Sequence, residues 1–65
     1  MYHLTYWLHG QSRLFSEPQH FCTNTFLEFS NAVATAINAG YDIADLWYDK
    51  YNDDWNNRLK QYFGL

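Results

Sequence analysis

Five of the chain's seven acidic residues stand within one thirteen-residue window, as Asp42, Asp45, Asp49, Asp53 and Asp54. Tyr41, Ile43, Leu46, Trp47, Tyr48 and Tyr51 are set beside and between them. Carboxylates next to large rings suit binding better than bond-breaking. The charges steer a basic partner, and the rings supply anchors for contact. Asp42, Asp45, Trp47, Asp49, Asp53 and Asp54 are therefore the candidate partner-binding residues. The plainer use of the same run is a solvated face that keeps an aromatic-rich chain soluble. Asp49-Lys50-Tyr51-Asn52-Asp53 also resembles part of a calcium loop, but it lacks the glycine and terminal glutamate of an EF-hand.

His3, His9, His20 and Cys22 are the other chemically capable group. A single zinc site does not fit them. On a strand, His3 and His9 are separated by about 20 Å at ~3.3 Å per residue, and ligands to one zinc lie at about 2.0–2.3 Å from it. His20-x-Cys22 shares one strand face and has the spacing of a base and a thiol. No oxyanion loop accompanies it. The phosphate-binding, His-Glu-x-x-His and Gly-x-Ser-x-Gly motifs are missing from the sequence. The expectation is a protein that is not an enzyme and needs no cofactor or metal.

The sixty-five residues form one domain, 1–65, with a net charge of −3 and four basic side chains. Direct nucleic-acid binding is not expected, because it rests on clustered Lys and Arg that displace counterions. No apolar run reaches the ~20 residues of a membrane span. Met1–Gly10 does not read as a signal peptide, since it lacks a basic region and His3 and His9 interrupt its apolar run. With a single thiol, the expected location is the cytoplasm. A chain this short buries only about 60% of its unfolded surface, and Cys22 has no partner for an internal disulfide. Five Phe, six Tyr and three Trp must staple the core in its place.

These residues need elements to position them. Tyr2–Leu8 alternates, with Tyr2, Leu4, Tyr6 and Leu8 on one side and His3, Thr5 and Trp7 on the other, which predicts a strand. Gly10 suits a hairpin turn, with Arg13–Ser16 returning as the second strand. Pairing should end at Pro18, which has no N–H to donate. Gln19–Cys22 reads as resumed extended structure or loop. Thr25 and Glu28 have capping-box spacing. Phe26, Phe29, Val33 and Ile37, flanked by Ala32 and Ala36, form one helical stripe, and Gly40 closes the helix. Tyr41–Tyr51 fits two readings. As a helix it ladders Asp42, Asp45, Asp49 and Asp53 along one face. As a strand it needs a bulge after Ile43 but supplies the third strand that a lone hairpin lacks. The strand is preferred. Asp53 or Asp54 then caps a last helix carrying Trp55, Leu59, Tyr62 and Phe63, ended by Gly64. The expected fold is α+β, in the order strand–strand–helix–strand–helix, with a small antiparallel sheet packed by one amphipathic helix. The alternative is a hairpin followed by three helices.

In brevity, acidity, exposed rings and element order the chain resembles the small acidic inhibitors encoded by phages and mobile elements, of the anti-CRISPR and antirestriction type. Asp45 and Asp49 are the acids carried over. The resemblance implies a non-enzymatic inhibitor that docks on a host protein or nucleoprotein complex with a basic surface. A different class of function is a small assembly subunit that forms a homodimer through Trp7, Trp47 or Trp55.

Overall fold

The computed structural model describes residues 1–11 and 14–65. Strand β1 (Tyr2–Trp7) is followed by β2 (Gln19–Thr23), helix α1 (Phe26–Asn38), β3 (Asp42–Tyr48) and helix α2 (Asp53–Tyr62). β1 is central in an antiparallel sheet ordered β2-β1-β3. This is the expected α+β order, and the hairpin with three helices is not formed.

Alternation in β1 sets everything else. Tyr2, Leu4 and Tyr6 turn inward beneath α1, while His3, Thr5 and Trp7 turn outward. Leu4 sits opposite Phe21 on β2 and Leu46 on β3. Leu4 and Leu46 join Phe29, Val33, Ala36 and Leu59 as the buried core. Phe29 is the one fully buried ring, so the staple differs from a core filled with rings. Tyr2, Tyr6, Phe21, Tyr41, Tyr48 and Phe63 form a shell of rings around a largely aliphatic centre. Tyr2 illustrates it, with its ring 5.0 Å from Phe29 and 4.4 Å from Tyr48. Burial, with the neighbouring Tyr51 and Tyr48 hydroxyls adding to it, raises the Tyr2 pKa above the usual tyrosine range.

α1 begins and ends where its chemistry requires. The Thr25 side chain accepts the Glu28 N–H at 3.3 Å. The capping box is closed indirectly. Thr25 N–H donates to Thr23 Oγ1, which donates to Glu28 Oε2 at 2.8 Å. At the other end, Tyr41 N–H reaches back to Ala36 O and Gly40 N–H to Ile37 O, a Schellman closure with Gly40 at φ 77°. Gly64 closes α2 in the same way. The buried stripe is Phe29, Val33 and Ala36, shifted from the expected one. Phe26 and Ile37 at its ends remain about 40% exposed, because the small sheet does not extend beneath them.

Three expectations are corrected. Arg13–Ser16 does not supply the return strand. Leu14 and Phe15 lie in a turn, Ser16 and Pro18 are irregular, and Arg13 falls outside the described residues. β2 starts directly after Pro18, where backbone N–H donors are available again. The Gly10 turn does form, with Gln11 N–H on Leu8 O at 3.0 Å, but it opens a longer loop. The cap of α2 is Asn52, whose Oδ1 accepts Trp55 N–H at 2.9 Å. Asp53 and Asp54 occupy the first turn, where carboxylates favour the helix dipole. In α2 only Leu59 is buried, and Trp55 and Tyr62 face outward.

β3 is a strand, with the bulge at the expected place. Ile43 pairs with Tyr6 and Asp45 with Thr5, leaving Ala44 as the extra residue. That one insertion sends both Ile43 and Leu46 toward the core. Asp45 and Trp47 then face outward. No helix among the described residues is long and apolar enough to cross a membrane.

Candidate functional site

The outward sheet face collects the side chains with chemical potential. Ladder rows run Cys22–His3–Trp47 and His20–Thr5–Asp45, with Trp7 opposite Asp42 beyond the bulge. The rings lie flat against one another. His3 is 4.9 Å from Trp47 at 10° and 5.3 Å from His20 at 8°. His3 Nδ1 and His20 Nε2 are 3.1 Å apart, sharing one hydrogen bond. His3 Nε2 approaches Asp49 Oδ2 at 3.3 Å, and the Met1 ammonium donates to Asp49 Oδ1 at 2.8 Å. The Met1 ammonium, then the His3 hydrogen bond, holds the Asp49 carboxyl below the usual carboxylate range.

α2 forms the flank of this face and covers the edge of β3. Asn56 substitutes for a neighbouring strand. Its Oδ1 accepts Tyr48 N–H at 2.8 Å, and its Nδ2 donates to Tyr48 O at 3.4 Å. Tyr48, at the end of β3, is thereby closed to pairing with a further strand. The Lys60 ammonium meets Asp45 Oδ1 at 2.8 Å and ties the far end of α2 to the sheet. Between helix and strand is a groove of about 490 Å³ lined by Asp45, Trp47, Asp53, Asn56, Asn57 and Lys60.

The candidate residues from the sequence are therefore divided. Asp45, Trp47 and Asp53 meet in the groove. Asp49 joins them through His3, which touches both Asp49 and Trp47. Asp42 stands at the opposite end of β3 from Asp49, across from Trp7. Asp54 shares a helical turn with Asp53 but does not line the groove. Among the described residues, Asp45 is matched locally by Lys60 and Asp49 by the Met1 ammonium. The face is a mixed polar and aromatic surface, less electronegative than the bare sequence suggests.

His3, His20, Asn56, Asn57 and Lys60 were not among the candidates. A signal for the histidines existed, since His3 alternates with Thr5 and Trp7, and His20 with Cys22. None existed for Lys60, whose contact to Asp45 depends on how α2 packs. Cys22 is exposed and makes no hydrogen bond to either imidazole. Among the described residues, no group of three or more His, Cys, Asp or Glu side chains is placed to hold a metal ion. A second depression, of about 250 Å³ between α1 and the inner sheet face, is lined by Leu4, Tyr6, Phe21, Ala32, Ala36 and Tyr41 with Asn31 and Thr35, and it carries no charge. Comparison with protein-family models, curated proteins and solved structures finds no match to this chain.

Proposed function

We propose that the protein is a non-enzymatic inhibitor of the phage-encoded, anti-CRISPR or antirestriction type. It acts in the host cytosol by docking its outward sheet face and the adjoining groove on the basic surface of a nucleic-acid-handling protein complex. One observation carries this. Asp45, Trp47 and Asp53 line a single groove, and Asp49 lies on the same side through the His3 ring. Aromatic anchors edged with carboxylates are the composition of a contact that gains on-rate from charge and residence from ring burial.

The test is charge reversal at Asp45→Lys with Asp49→Lys, followed by capture of the partner from a bacterial lysate. Binding should weaken at least about tenfold, with a salt dependence that disappears in the double variant. A partner that binds wild type and double variant equally, in low and high salt alike, rules out electrostatic docking.

The alternative is an assembly subunit that dimerises. It is favoured by the outer strand β2, where Gln19, His20 and Cys22 are exposed and, among the described residues, no helix side chain caps the edge as Asn56 caps Tyr48. Sedimentation separates the two. A tight dimer that protects β2 amides from exchange supports assembly, and a monomer at micromolar concentration supports the external partner.

A further inference from the structure

We propose that the groove between β3 and α2 seats the guanidinium of an arginine side chain carried by the partner, with its plane on Trp47 and its fork on Asp53. This inference rests on the docking function proposed for the same face and names its contact chemistry.

A guanidinium needs a flat π surface, a carboxylate with both oxygens available, and further acceptors for its remaining N–H groups. The groove supplies each. Trp47 lines it, and the parallel His3 ring at 4.9 Å holds the indole plane. Asp53 lines it too, and its carboxylate makes no hydrogen bond or ion pair among the described residues. The Asn57 amide is beside it as a further acceptor. Asn56 is committed to Tyr48 and Tyr51 and acts as a rigid wall.

Lys60 shows that the groove already retains a cation. Its ammonium is 2.8 Å from Asp45 Oδ1, with both side chains partly exposed. It also fixes where an incoming charge must go. Asp45 is occupied, so the open carboxylate is Asp53. A phosphate is disfavoured, because two carboxylates line the groove against one ammonium. A lysine from the partner would bring a compact charge without the planar fork that matches indole and carboxylate together.

The probe is the intact chain, 15N-labelled, titrated with acetyl-arginine amide, acetyl-lysine amide and acetyl-citrulline amide. Arginine should move the Trp47 indole N–H and the Asn57 side-chain amide along one saturable curve. Citrulline has nearly the same shape without the charge and should move neither, and lysine should bind about tenfold more weakly. Asp53→Asn should weaken arginine binding about tenfold, whereas Glu17→Gln, which removes the same charge from a distant loop, should leave it unchanged. Lys60→Met uncovers Asp45 and should tighten binding about threefold. Equal shifts with citrulline overturn the proposal, as does a Glu17→Gln loss equal to that of Asp53→Asn, or weaker binding in Lys60→Met. Dispersed spectra of each variant check the fold. The titration needs no partner, so its failure removes the arginine seat alone, and the charge-reversal capture still decides whether the face docks at all.

Discussion

The two faces of β1 carry alternate residues of one six-residue strand and have opposite characters. The inward face puts Leu4 between Phe21 and Leu46 and stacks Tyr2 on Phe29, with no ionisable group except phenols. The outward face, one residue away at each step, holds His3 against His20, Trp47 and Asp49. The first is apolar and set by volume. The second is polar and set by hydrogen bonds and ring stacking. The same substitution size should therefore cost stability on one face and binding on the other.

The sharpest break in that contrast comes from the inward face. Phe29→Ala should destabilise by about 3–5 kcal/mol, enough to unfold most of so small a domain, as seen by urea denaturation. A cost under about 1 kcal/mol would show that the buried Phe29 ring does not hold the inward face together. Asn56→Ala tests the joint between the faces. It strips Tyr48 N–H of its partner, while Tyr48 O keeps the Tyr51 N–H, and should cost about 1–2 kcal/mol, with faster amide exchange at Tyr48. Smaller again is Lys60→Met, which removes one partly exposed ion pair and should change stability by less than about 1 kcal/mol. A larger loss there would mean that the pair, and not Leu59, docks α2.

The weakest effect is a pH dependence. Asp49 titrates below its ordinary value in the folded chain, so its pairing contributes fully above the unfolded carboxylate range. That contribution is lost as pH falls through the lowered value. Thermal unfolding of Asp49→Asn should lack this acid-side decline while keeping the rest of the curve. Tyr2 gives the mirror case at high pH. Its raised value favours the neutral phenol in the fold, so stability declines as pH rises above the unfolded tyrosine range. Tyr2→Phe should flatten the alkaline limb.

Much of the scaffold was legible because it rests on local rules. Thr25 capped α1, Gly40 ended it, and Ile43-Ala44-Asp45 bulged, each where short-range pattern placed it. The return strand was misplaced because Leu14 and Phe15 look like strand residues, yet they are about 90% exposed in a loop. β propensity reflects burial on a pleated surface, and that dipeptide is exposed. The acidic site was only partly legible. The sequence shows which carboxylates are near one another along the chain. It does not show that Lys60 neutralises Asp45, or that Asp53 lines the groove and Asp54 does not.

By itself, the order of residues determined helix α1 with its Thr25 cap and Gly40 end, and which side chains of β1 share a face, since these follow from periodicity and nearest-neighbour hydrogen bonding. Tertiary structure alone decided that His3 meets His20 and Asp49, and that Trp47 and Asp53 line the same groove. The histidine contacts join residues 17 and 46 positions apart, and the groove joins a strand to the helix that follows it. They depend on strand register, on one inserted residue, and on the angle at which α2 closes the sheet edge, none of which any single segment encodes.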